Sequence, residues 1–162
     1  MKVVLSFAIA MIALTGCSAL ANDGASELKW FETKEEAIDY GIKEEEMKKE
    51  DIIGEVNEND ETFVIYKKQL DEGLGVGVSS ISVKNGQYAW YHSDQDVLVR
   101  NDKAKKYASQ INWETTTQSG KDFTIYTGIS EDESPIVKTP NSEVSPTIDK
   151  KTGIYFYIEP TK

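Results

Sequence analysis

The feature that most restricts this chain is a change of hydrophobic period at Ile52. Before it, Ala37, Ile38, Gly41 and Ile42 fall at the spacing of one helix face. After it, apolar residues alternate in short runs separated by Gly, Asn and Asp, the pattern of half-buried strands joined by turns. Ile52–Val56, Glu61–Gln69, Leu74–Lys84 and Gln87–His92 read as successive antiparallel strands. Asn85-Gly86 between the last two is a strong hairpin signal, because both residue types tolerate positive φ.

The helix carries its own start signal. Thr33 is a good N-cap and Glu36 stands three residues later, the capping-box spacing. Glu35 and Glu36 add acids where the helix dipole favours them. With about ten residues, such a helix needs a surface to pack on. The expected class is therefore α+β: an N-terminal helix packed on an antiparallel β-meander, followed by a β-rich C-terminal part. Residues 30–100 hold the helix and first sheet. Residues 101–162 hold strands at Ser109–Thr117, Phe123–Ile129 and Ile154–Glu159, which either continue that sheet or form a lobe of their own. Glu131 to Asp149, with Pro135, Pro140 and Pro146, reads as a long surface loop with a short edge strand at Ile136–Thr139.

The N-terminus follows different rules. Lys2 is the only charge before Asp23, and Val3–Leu14 contains one polar residue, Ser6. Twelve residues are too few to cross a bilayer, which takes about 20, but suit the apolar core of a secretory signal. The run ends Leu14-Thr15-Gly16-Cys17, and Cys17 is the only cysteine of the chain. This tetrad resembles the lipobox of bacterial lipoproteins. The resemblance covers the targeting segment alone. It implies a diacylglyceryl thioether on Cys17, cleavage between Gly16 and Cys17, and a mature protein held at the extracytoplasmic face of the cell membrane. Residues 1–16 are then a signal peptide, and residues 17–29, small and polar at first, a flexible tether. The chain has 17 lysines and one arginine, Arg100. With the lipobox and many Asn, Asp and Glu, it resembles the small lipoproteins of Gram-positive bacteria.

Charge and residue types exclude several functions. A net charge of −10 in 162 residues opposes nucleic-acid binding. One cysteine and one histidine, His92, leave no basis for a zinc site of the usual composition. Gly73, Gly75 and Gly77 lack the sixth-position glycine and the helix of a dinucleotide fingerprint. They predict instead a flat strip that an aromatic ring from the neighbouring strand, Trp90 or Tyr88, packs against. His92 with Asp94 and Asp96 has the donors for a divalent cation but no calcium-loop pattern, and no metal or other cofactor is assigned. No nucleophile sits in a catalytic context.

The candidate contact patch is Gly75, Gly77, Tyr88, Trp90, Tyr91 and His92, for an envelope protein, a peptide or a small ligand. The chain is expected to be a non-catalytic binding module. The alternative is an inhibitor or immunity-type protein whose acidic surface complements a basic toxin or hydrolase. An enzyme is the least favoured reading.

Overall fold

A computed structural model describes residues 28–92 and 95–161. The signal segment, Gly16, Cys17, nearly all of the tether and Asp94 lie outside the described residues. The expected α+β class is corrected: the protein is mostly β, built on two antiparallel sheets. Among the described residues there is one α-helix, α1 (Lys34–Glu44). It is preceded by an isolated bridge in which Phe31 pairs with Tyr88.

The first sheet contains β1 (Ile52–Glu58), β2 (Glu61–Leu70), β3 (Gly73–Lys84), β4 (Gln87–Tyr91), β5 (Val97–Asn101) and β6 (Lys106–Tyr107). Its spatial order is β1-β2-β3-β5-β6, and β4 also pairs with β3. β3 is thus flanked by β2 along one edge and shared by two strands on the other. β4 takes Ser80–Lys84 and β5 takes Gly73–Val76. Two-residue turns place positive φ where the sequence supplies residues that accept it: Asn59 and Asp60 between β1 and β2, Asn85 and Gly86 between β3 and β4.

The second sheet contains β7 (Ile111–Thr116), β8 (Asp122–Ile129), β11 (Thr147–Asp149) and β12 (Ile154–Pro160), in the order β11-β12-β8-β7. Between β8 and β11, β9 (Val137–Lys138) and β10 (Glu143–Val144) form a small hairpin of their own. The stretch read as one long loop is therefore divided. Gln110 fixes the hairpin, donating from Nε2 to the Lys138 carbonyl and accepting the Lys138 N–H at Oε1.

The two sheets face each other across one core. Phe63 and Ile65 of β2, Val76 and Val78 of β3 and Val99 of β5 meet Phe123 and Ile125 of β8 and Ile154, Phe156 and Ile158 of β12. The Phe63 and Phe123 rings meet edge to face, with centroids 4.8 Å apart. This explains the correction of class. Alternation gives each strand two faces, and the larger apolar face of the first sheet packs on a second sheet rather than on the helix. The helix covers the opposite face, where Val64, Tyr66, Ile81 and Trp90 pack with Ile38, Tyr40 and Met47. The outer face of the second sheet buries Tyr126 and Tyr155 with Val137 of the hairpin.

Helix α1 forms as its cap predicts. Thr33 Oγ1 accepts from the Glu36 N–H and the Glu36 carboxylate accepts from the Thr33 N–H, both at 3.2 Å. Lys34 Nζ reaches Glu55 Oε1 of β1 at 2.6 Å. Gly41 is required by packing: a Cβ there would stand 2.0 Å from Trp90 Cδ2. Among the described residues no helix is long and apolar enough to cross a membrane.

Phe156 is 1% exposed in the shared core, and its Cζ lies where a Cβ on Gly54 of β1 would stand. Phe156→Ala should therefore lower unfolding free energy by about 3–5 kcal/mol. Val83→Ala, at a side chain 64% exposed, should change it by no more than about 0.5 kcal/mol. Urea denaturation of both variants checks the contrast.

Candidate functional site

The expected patch does not assemble into one exposed surface. Tyr88 and Trp90 of β4 lie with the helix-side cluster. Tyr91, the next residue along, has the opposite facing by strand alternation. Trp90 is buried beneath Gly41, and Tyr88 is half-buried beside Phe31. The glycine strip is filled, though not by the rings expected. At Gly75 a Cβ would meet Leu70 Cδ1 at 2.6 Å. At Gly77 it would meet Tyr66 Cε2 and Asp96 Oδ1, each at 2.2 Å. The ring over Gly77 thus comes from β2, whose Tyr66 is its direct cross-strand neighbour.

That close approach leads to the polar centre of the molecule. β3 residues 77–79 pair with neither β4 nor β5, because β4 leaves the edge after Tyr91 and β5 joins it at Val97. His92 and Asp96 stand at the two ends of this gap. Glu45, the C-cap of α1, and Lys68 of β2 complete the group. His92 Nδ1 lies 2.8 Å from Glu45 Oε1, and Lys68 Nζ lies 3.1 Å from Glu45 Oε2 and 3.2 Å from Asp96 Oδ2. His92 Nε2 is 4.0 Å from Asp96 Oδ1 and 3.4 Å from the Tyr66 hydroxyl. Both carboxylates are only 11% exposed.

The charges balance when His92 is protonated, two carboxylates against two cations. A carboxylate at the C-terminal end of a helix is disfavoured by the dipole, and here two cations compensate it. Burial works to raise the Glu45 carboxyl, but the hydrogen bonds and charges of His92 and Lys68 outweigh it and hold the group at about 2. The Glu45 hydrogen bond raises His92 above its ordinary value, against the opposing effect of burial. Burial lowers Lys68, yet Glu45 and Asp96 leave it raised. Burial and the Asp96 charge push the Tyr66 phenol far up, so it remains a neutral hydrogen-bonding group.

Compared with known protein families, curated proteins and solved structures, the chain matches none. The site is therefore read from its own chemistry. Tyr66 is fully buried, and the His92 ring is engaged by Glu45 on one side and Tyr66 on the other. The arrangement can store and exchange one proton. Among the described residues, no group of three or more Asp, Glu, His or Cys side chains is arranged to hold a metal.

Beside this cluster is a hollow of about 360 Å³, between residues 45–51 and the end of β2. Glu45, Met47, Asp51, Lys67, Lys68 and Leu74 line it. Lys67 closes one side, with Nζ 3.3 Å from Asp51 Oδ1 and donating to the Glu50 carbonyl at 2.8 Å.

Sequence reasoning had singled out His92 and Asp96 but paired them with Asp94. Glu45 was hidden in the run Glu44-Glu45-Glu46, which has the look of a solvated helix end. A usable signal was present: the only histidine of a strongly acidic chain lies one residue past an aromatic strand.

Two outcomes test the cluster. Gly77→Ala should destabilise by about 1–3 kcal/mol, because both neighbours of the added Cβ are themselves buried; thermal unfolding measures it. The lowered Glu45 carboxyl contributes stability that is present above its unfolded value and is lost as pH falls toward about 2. Wild type should therefore lose more stability than Glu45→Gln as the medium is acidified below pH ~4.5. Urea midpoints of the two proteins across that range make the comparison.

Proposed function

We propose that this chain is a lipid-anchored extracytoplasmic protein whose folded body serves as a non-catalytic binding module. The observation that carries the anchor is Leu14-Thr15-Gly16-Cys17, which holds the only cysteine at the end of a short apolar run behind Lys2. Two acyl chains hold a protein at a membrane far more firmly than one. The non-catalytic reading is supported by the position of the sole histidine, occupied by Glu45 and a buried phenol.

The distribution of charge favours a basic partner and keeps the inhibitor or immunity-type reading beside the first. Between Leu28 and Glu72 there are fifteen acids and seven lysines; between Gly73 and Thr161 there are eleven acids and nine bases. The acidic surplus is thus concentrated on α1, the residues that follow it and β1, while β2 itself carries one acid and two lysines; such a field would steer a basic partner to that side.

Cys17→Ala should leave an unprocessed precursor that takes up no labelled fatty acid. Lipid labelling and membrane retention of that variant would refute the anchor. Cross-linking and capture from the organism's own envelope test the module: a basic protein recovered in a salt-sensitive complex supports the inhibitor reading. Hydrolysis of an envelope substrate by the purified protein would overturn both.

A further inference from the structure

The geometry points to a proton-operated clasp: His92, when protonated, ties the C-terminal end of α1 to the residues leading into β5, and loss of that proton unfastens the β5 side. The argument rests on counting N–H groups. An imidazolium has two donors, and a neutral imidazole has one. Here the two ring nitrogens face different carboxylates on different elements: Nδ1 faces Glu45 at 2.8 Å, and Nε2 faces Asp96 Oδ1 at 4.0 Å with the Tyr66 hydroxyl at 3.4 Å. A neutral ring can keep the close Glu45 bond through Nδ1–H while Nε2 accepts from Tyr66. Asp96 then loses its share of the histidine.

Among the described residues, the groups that face His92 come from three elements. Glu45 comes from the end of α1, Tyr66 and Lys68 from β2, and Asp96 from the approach to β5. With the ring neutral, Lys68 is, among the described residues, the one cation left for two carboxylates that are 11% exposed, and these four side chains carry a net negative charge. Asp96 Oδ1 is buried and has no hydrogen-bond partner; Lys68 meets the other oxygen, and the charge of the imidazolium is what faces Oδ1. This same oxygen lies close over the backbone of Gly77, where an added Cβ would meet it. The Asp96 end is accordingly the weaker end of the clasp.

The sign follows from the direction in which His92 is displaced. Its folded value is raised, so the tie is fully present below the unfolded value near 6.5 and is lost as pH rises through the folded value. Glu45 works in the opposite sense and fails only in strong acid. The clasp is thus closed in mildly acidic medium and opens toward alkaline pH. The inference concerns the folded body and stands whether or not Cys17 carries lipid.

His92 is the only histidine, so its ring signals in an NMR titration of the full chain need no assignment. The expected result is titration above about 6.5, brought down by Glu45→Gln and, separately, by Asp96→Asn. Over the same pH interval, amide-exchange protection at Asp96–Leu98, corrected for intrinsic rates, should fall as the ring loses its proton. Titration at or below 6.5 in the wild type would overturn the inference. So would protection at Asp96–Leu98 that stays flat while His92 titrates, or an Asp96→Asn variant in which His92 titrates as before.

Discussion

Burial of β3 on both faces is the constraint on which the rest of this structure depends. Its first ten residues, Gly73–Ser82, are all buried. One face meets the second sheet through Leu74, Val76 and Val78; the other lies under Tyr66, α1 and the charged cluster. A strand covered on both sides has no room for a uniform set of large residues. The sequence answers with Gly75, Gly77 and Ser79 on the helix side ahead of Ile81, and with Leu74, Val76 and Val78 on the core side ahead of Ser80 and Ser82. Each fully buried aliphatic or aromatic side chain of the shared core contributes about 1.5–3 kcal/mol. The small residues contribute access: they let a tyrosine ring and a carboxylate approach the backbone of the sheet.

From that arrangement the site follows. The last turns of the helix lie on β4, where Gly41 meets the Trp90 ring, and Glu45 follows at the C-terminal pole of a dipole that repels it. Lys68 and His92 meet it there. The gap between β4 and β5 on the β3 edge places His92 and Asp96 at its two margins, and Gly77 leaves the floor low enough for Tyr66 and Asp96 to lie side by side. The charged cluster is thus a product of strand pairing as much as of the charged residues themselves.

How much of this was legible in the sequence depends on range. Local signals were read well: the Thr33 cap with Glu36, the Asn85-Gly86 turn, and the alternation that puts Ile154, Phe156 and Ile158 on one face with Tyr155 and Tyr157 on the other. The class was misread because alternation states that a strand has an apolar face without stating what covers it. The helix was assigned that role, and the second sheet holds it. The same limit applied to the site. Asp96 and His92 are close in sequence, but Glu45 and Lys68 join them only through tertiary packing. The edge strand expected at Ile136–Thr139 is present as β9, but β10 and β11, two and three residues long, were beyond reach because so few residues establish no period.

The division of the core between two sheets also sets an order of events during synthesis. β1 to β4 are joined by tight turns, so their pairings close with little loop entropy as soon as the residues are present. Their apolar face, with Phe63, Ile65, Val76 and Val78, is covered only when β8 and β12 arrive. Until Ile158 has been made, the growing chain carries a formed sheet with one oily side open to whatever it meets. The last strand to be synthesised is therefore the one that ends its exposure to aggregation.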